Sequence, residues 1–394
     1  MKTALALLFA FAGICSSQIA IRGGKVYTMA GPPIENGVVL IENGRISAIG
    51  PASSVTIPAG MKTLSANIVT PGLVDAHSTV GLTGYLNQPQ DQDELEKSAS
   101  IQPELRAIDA YDFDERLIEW VRGFGITTMN TGHAPGELIS GQTMIVKTRG
   151  GSAEEAAIVP VAMVACSLGD NGLAGEGKSP GTRAKEVAML REEFVKAREY
   201  ANKKKDAPRD LRLEVLARVL KGELPLLVTA QRSRDIMDAL RLGKEFKLKI
   251  ILDGAAEAPL VLNEIKASGY PVIVHPTMYR ALGETENLSF ETAAKLQAAG
   301  VSWALQSGYE SYVPKTRVIL FEAAIAAANG LTFDQALAGI TINAARIIGV
   351  ANRVGALETG KDGDVALYDG DPFEYTSHCV GTVIEGQQVS AEVR

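Results

Sequence analysis

Short apolar runs separated by turn residues dominate both ends of the chain, and apolar runs alternating with amphipathic stretches fill its middle. Near the start, 19–21, 25–29, 37–42 and 45–49 have strand length. Asn43-Gly44 lies between the last two, the strongest short-range hairpin signal. The style returns after Gly355, in 357–368, 380–385 and 387–389, with Gly386 at a turn. Strands at both ends bracketing a mixed middle predict one small β-sandwich built from 18–70 and 355–394.

Between them lie eight strand-length apolar runs: 73–76, 126–130, 143–147, 158–165, 226–228, 249–252, 271–274 and 302–305. Most intervening segments carry helical patterning. A long charged amphipathic run covers 183–205, Asp235 reads as the cap of 236–246, and 315–329 ends at Gly330. Thr332 followed by Gln335 has the form of a capping box. Eight strands alternating with helices predict an α/β fold, a (β/α)8 TIM-like barrel over 71–354. Two strand-to-helix connections are long, 78–125 and 167–225, and such segments shape or cover a barrel's site. The first, with Gln88, Gln90, Asp91, Gln92, Asp93, Glu94 and Glu96, reads equally as a lid and as a solvated loop.

Composition fits this picture: 394 residues, 46% hydrophobic, 39 Gly and 17 Pro suit one barrel with an accessory domain. Lys2, the apolar stretch 4–14 and Cys15-Ser16-Ser17 have the order of a secretory signal, residues 1–17. That predicts an exported protein, periplasmic or extracellular; the plain alternative is an N-terminal strand that begins apolar. The stretch is too short to span a bilayer, and no later run of about 18 apolar residues offers a span. A net charge of −7, one unit more negative without Lys2, argues against nucleic acid or an anionic membrane as partner. Cys166 and Cys379 read as two buried thiols, with a disulfide between them left open. Lys203-Lys204-Lys205 reads as the solvated end of a helix.

Several motifs appear in a telling order. Pro71-Gly72-Leu73-Val74-Asp75-Ala76-His77-Ser78-Thr79 comes first, then Gly123-Phe124-Gly125-Ile126-Thr127-Thr128 and Ile139-Ser140-Gly141-Gln142. Leu168-Gly169-Asp170-Asn171, Thr182-Arg183, the run from Thr341 to Val350 and Gly360-Lys361-Asp362-Gly363-Asp364-Val365 follow. In this order they resemble the amidohydrolase superfamily, in its imidazolonepropionase-like branch, over nearly the whole chain after the signal. The resemblance implies hydrolysis of C–N bonds with one or two divalent ions. These are held by a first-strand His-x-His pair, a carboxylate or modified Lys, two more His and a terminal Asp. Imidazoles and carboxylates fix such an ion while leaving a position for water, whose pKa the ion lowers.

The ligand set is broken. Thr79 stands at the second His of the first-strand pair, and Thr229 and Gln231 where the fifth strand carries His. Asp253 stands at the sixth-strand His and Gly308 at the eighth-strand Asp, with Glu310 the nearest acid. Of four His in the chain, His378 falls in the C-terminal strands, leaving His77, His133 and His275 for the barrel. With Asp170 and Asp253 these are the candidate metal ligands, all expected at the C-terminal face where barrel sites assemble. Asp253 is also the candidate catalytic group. Each has a plain alternative as a hydrogen-bonded structural residue, and Lys147 likewise reads as near the bridging-ligand region or as structural.

Two function classes follow. One is a homologue with a degenerate metal site that binds a small molecule, an active paralogue or a second copy of itself without catalysis, and needs no cofactor. The other is an atypical mononuclear hydrolase of cyclic amides or dipeptide-like substrates, using one divalent ion such as zinc.

Overall fold

The computed structural model describes residues 18–86, 88–175, 177–202, 208–277, 279–309 and 318–394. The expected signal, residues 1–17, and the Lys203–205 cluster lie outside the described residues.

Four strands open the chain: β1 (Gln18–Val26), β2 (Ile34–Glu42), β3 (Arg45–Pro51) and β4 (Lys62–Pro71). The barrel region contributes β5 (Leu73–Ser78), β6 (Ile126–Thr131), β7 (Ile139–Gln142), β8 (Met144–Lys147) and β9 (Ala157–Val159). It continues with β10 (Val164–Ser167), β11 (Leu226–Ala230), β12 (Ile250–Gly254), β13 (Val272–Val274) and β14 (Trp303–Ala304). The chain closes with β15 (Val365–Tyr368), β16 (Cys379–Ile384) and β17 (Gln387–Ser390).

Both termini enter one seven-stranded sheet, in the order β17-β16-β15-β4-β1-β2-β3. The Asn43-Gly44 turn joins β2 to β3 with positive φ at both residues, and Glu385-Gly386 repeats the device between β16 and β17. Ile19, Ile21, Val39, Ile41, Val69, Leu367 and Val383 form one apolar cluster, and Ala20, Val38 and Leu40 a smaller one. The sandwich expected from both termini is thus a single hydrogen-bonded sheet with apolar clusters on alternate positions. Lys147 at the end of β8 fastens it to the barrel region. The buried ammonium lies 3.0 Å from Asp362 and is also paired with Asp364, which accepts the Glu385 N–H.

The middle of the chain forms two sheets, β14-β13-β12-β11-β10-β7 and β5-β6-β8-β9, with β10 to β14 parallel. Six of the eight expected runs appear in place as β5, β6, β11, β12, β13 and β14. The other two differ. The third begins earlier, bends at Thr143 into β7 and β8, and pairs antiparallel with β10 and with β6. The link 132–138 is too short to carry the chain back through a helix, so the next strand must reverse. The fourth run splits into β9 and β10. Along one seam the sheets share the bend at Thr143; along the other a parallel bridge joins Ser78 to Gly308.

Period-two alternation sorts the strand side chains. Leu226, Val228, Ile250, Leu252, Val272 and Trp303 face the helices Ser233–Phe246, Leu262–Ser268, Thr292–Ala299 and Ile319–Ala328. Val74, Ala76, Ile145, Met163, Leu227, Ile251, Ile273 and Ala304 point the other way and pack on Ala344, Ala345 and Ile348. That packing closes one end of the interior.

Helix boundaries moved slightly. The charged run forms Arg183–Ala201 behind the Thr182 cap, and the helix expected over 315–329 is Ile319–Ala328, with 315–317 outside the described residues. The Thr332/Gln335 capping box is present. Asp235 does not cap its helix: Arg232 is the N-cap and Asp235 lies inside the first turn. Connection 78–125 is folded down by bridges from Thr83 to Gln92 and from Ile101 to Ile139. Cys166 and Cys379 are free, buried thiols. No described helix is long and apolar enough to cross a membrane.

Candidate functional site

Above the interior apolar layer lies a polar one. Two residues beyond Leu227, Ile251 and Ala304 come Thr229, Asp253 and Gln306, which period two turns to the same side. The Ser167↔Thr229 and Thr229↔Asp253 pairings carry the layer around β10, β11 and β12. On β5 the register with β6 slips between Asp75 and Ser78, the local irregularity by which strand ends re-aim side chains. His77 emerges there and points at Asp253.

Asp253 is fully enclosed and takes three hydrogen bonds. His77 Nδ1 lies 3.1 Å away, Thr229 Oγ1 donates at 2.6 Å and Gln306 Nε2 at 2.7 Å. Three donors around a buried carboxylate satisfy most of its lone pairs. Asp75 anchors the neighbouring seam, accepting the Ser307 N–H at 3.1 Å, the Ser307 hydroxyl and the His77 N–H at 3.3 Å. Burial pushes the Asp75 carboxyl up to about 6, with the Ser307 bonds opposing. The Tyr309 ring packs 5.4 Å from His77 and 5.6 Å from Tyr279. Burial raises the Tyr309 phenol well above its ordinary value, and Tyr279 and Asp253 add to that.

The positions that depart from the resemblance are internally engaged. Thr79 Oγ1 accepts from Thr83 at 3.0 Å, and Gln231 Oε1 accepts the Ala256 N–H at 3.2 Å. Gly308 holds φ +83°, and a Cβ there would meet Pro276 at 2.4 Å. A side chain at this position requires both a left-handed backbone and a displaced ring.

Of the five sequence candidates, the structure brings together His77 and Asp253. His275 is turned from the polar layer: Nε2 meets Thr292 Oγ1 at 3.1 Å and Nδ1 the Pro276 carbonyl at 3.2 Å. Both its nitrogens are thus spent on structure. The His133 ring lies against Gly141, in the space a Cβ would fill, and burial lowers its pKa to about 4. Asp170 is 59% exposed on the loop after β10 and pairs with Arg183 at 2.8 Å. These three correct the expectation of one ligand cluster. His378 pairs with Asp369 on the terminal sheet, and Lys147 serves the seam described above.

Sequence reasoning missed Gln306, Ser307 and Tyr309. Gln306 had a usable signal, two positions past a strand residue, but β14 is only two residues long and the alternation has no run there to stand on.

Zinc sites take four ligands, at least three from the protein. Among the described residues, no group of three or more His, Cys, Asp or Glu is arranged to hold a metal ion. Asp253 is engaged with three donors, and His77 retains one nitrogen, Nε2, without a protein partner among the described residues. The described residues do not fit the one or two ions that the resemblance implies.

Comparison with known proteins follows the same line. A model described as "Amidohydrolase family" matches residues 316–390. The chain is 24% identical to "Amidohydrolase tasK" of Hapsidospora irregularis over 89% of its own length, and spans 39% of that protein. It is 25% identical to an imidazolonepropionase of Rhizorhabdus wittichii, covering 88% of this chain and 92% of the relative. The crystal structure of an amidohydrolase from Thermotoga maritima superposes with a TM-score of 0.89 at 26% identity, over 95% of this chain and 100% of the other.

Proposed function

Because the chain belongs to the amidohydrolase superfamily, in its imidazolonepropionase-like branch and with its barrel-containing α/β fold, we propose that it is a homologue with a degenerate metal site, whose barrel mouth binds a small polar ligand without hydrolysing it. The observation that carries this reading is the closed bonding of Asp253 to His77, Thr229 and Gln306. A carboxylate held by three protein donors in the interior is stable as it stands. Recruiting it to an ion would break bonds that already offset its burial.

Bonding around β5, β6 and β14 also leaves acceptors without donors. In the tautomer that carries its hydrogen on Nδ1, directed at the carboxylate, His77 presents Nε2 as an acceptor. Asn130 donates its amide to the Ala76 carbonyl at 3.0 Å, and Gln306 donates to Asp253, so their side-chain oxygens are left as acceptors. All three atoms are buried without a protein partner among the described residues. Buried acceptors seek donors. The ligand class that meets them carries N–H or O–H groups and no anionic face toward His77. Cyclic amides and imides have that chemistry, in keeping with the name of the imidazolonepropionase relative.

A second reading rests on the free His77 Nε2 alone: a mononuclear hydrolase acting on cyclic amides or dipeptide-like C–N bonds. One experiment separates the two. The protein is incubated with a panel of cyclic imides, lactams and N-acyl amino acids, with and without Zn2+, Mn2+ or Co2+, while consumption and thermal stability are followed. Ligand binding without chemistry predicts a raised Tm with no substrate consumed, the stabilisation being about 2.7 kcal/mol at a hundredfold excess over Kd. Metal-dependent turnover that disappears in His77→Ala overturns the binding reading and establishes the second.

A further inference from the structure

Away from His77, four carboxylates surround one guanidinium. Arg183, at the start of the helix Arg183–Ala201, bonds Asp170 at 2.8 Å, Asp235 at 2.8 Å and Glu284 at 3.0 Å. Glu186, one turn along the same helix, accepts the Gly169 N–H at 3.3 Å, and the Asp170 N–H donates to Glu284. These groups come from the connections that follow β10, β11 and β13, all leaving at the end of the strands where His77 lies.

The charges do not balance. Glu186 Oε1, Asp235 Oδ2 and Glu284 Oε2 are buried with no hydrogen-bond partner among the described residues. Gly169 shows how tightly they crowd: with φ +83°, a Cβ there would lie 2.3 Å from Glu284 Oε1 and 2.6 Å from Asp235 Oδ2. Neighbouring cations are spent or distant. Arg234 Nε is 3.8 Å from Asp235 on a mostly exposed side chain, while Arg232 is engaged by Glu286, Glu257 and the Gly283 carbonyl. Cys166, on the adjacent strand, is a thiol that burial keeps neutral. Buried like charges this close cannot all ionise. Proton uptake relieves such crowding, because a protonated carboxyl carries no charge and can donate to its neighbour.

We propose that the Arg183 cluster is a proton-loaded latch, which ties the three connections together at acidic pH and loosens as pH rises toward neutrality. Burial pushes Glu186 up to about 7, with Asp235 adding to it against the Gly169 bond, and burial likewise raises Glu284. The sign follows. A carboxyl with a raised folded-state pKa binds its proton more tightly when the cluster is closed. Closure is therefore fully favoured below the ordinary glutamate value, weakens as pH climbs to about 7, and is level above. The latch stands independently of any ligand at His77.

Hydrogen exchange read peptide by peptide from about pH 5 to about pH 8, with rates referred to an unstructured peptide at each pH, tests it. Protection of 168–172, 233–237 and 283–288 should fall on the order of tenfold or more across that window, while strand residues 38–41 of the terminal sheet keep theirs. Glu186→Gln and Glu284→Gln, neutral at every pH, should each shrink the dependence, and the double variant should abolish it. Protection independent of pH in the unaltered protein, or an undiminished dependence in the double variant, overturns the proposal. If a variant does not fold, the profile of the unaltered protein decides alone.

Discussion

His77 meets two demands at once. Its Nδ1 completes the donor set of Asp253, and its ring packs against Tyr309 inside the barrel mouth. A residue kept only to hold an ion would leave metal-free stability untouched when removed. His77→Ala should instead cost about 3 kcal/mol in urea unfolding, because a buried carboxylate loses a charge-assisted bond and a ring-sized space opens. A midpoint unchanged within error would mean that the network contributes nothing. Much of this site was legible beforehand. The Pro71–His77 motif singled out His77, and a His-to-Asp exchange singled out Asp253. That they would bond each other was not, because 176 residues separate them and only the fold sets their distance. The sequence left His275 between ligand and structural residue for a related reason: it follows β13 by one residue, and beyond a strand's end alternation no longer says which way a side chain turns.

Elements were read better where the chain repeats its own pattern. The Asn43-Gly44 hairpin, the parallel strands β11 to β14 and the Thr332 capping box all rest on local signals that the structure keeps. The reversal of the third strand rests on something pattern does not weigh, the length of the link before it. Lys147 has a place only once that reversal is known, since β8 then ends beside the return of the chain into β15. Arg353 also pairs with Asp362, at 2.8 Å, so removing Lys147 strands Asp364 in particular. Burial already raises the Asp364 carboxyl, with Lys147 holding it down. Lys147→Ala should therefore destabilise the protein by about 3–5 kcal/mol, the cost of a buried charge left without its partner. A loss below about 1 kcal/mol, typical of a surface pair, would contradict the seam described here.

At the scale of the whole molecule, architecture and chemistry are separate questions. The fold is that of the amidohydrolase superfamily from β1 to β17, and motif order carried that far into the structure. Function does not follow from fold. Where ligands are expected, Thr79 accepts from Thr83, Gln231 accepts from Ala256 and Thr229 donates to Asp253, and a Cβ at Gly308 would meet the Pro276 ring at a positive φ. The direct measurement is metal content, by elemental analysis of protein purified without chelator and then equilibrated with zinc. A mouth closed by its own hydrogen bonds predicts well under one tightly held ion per chain. About two equivalents, released only by strong chelators, would contradict it and return the protein to the metal-dependent hydrolases.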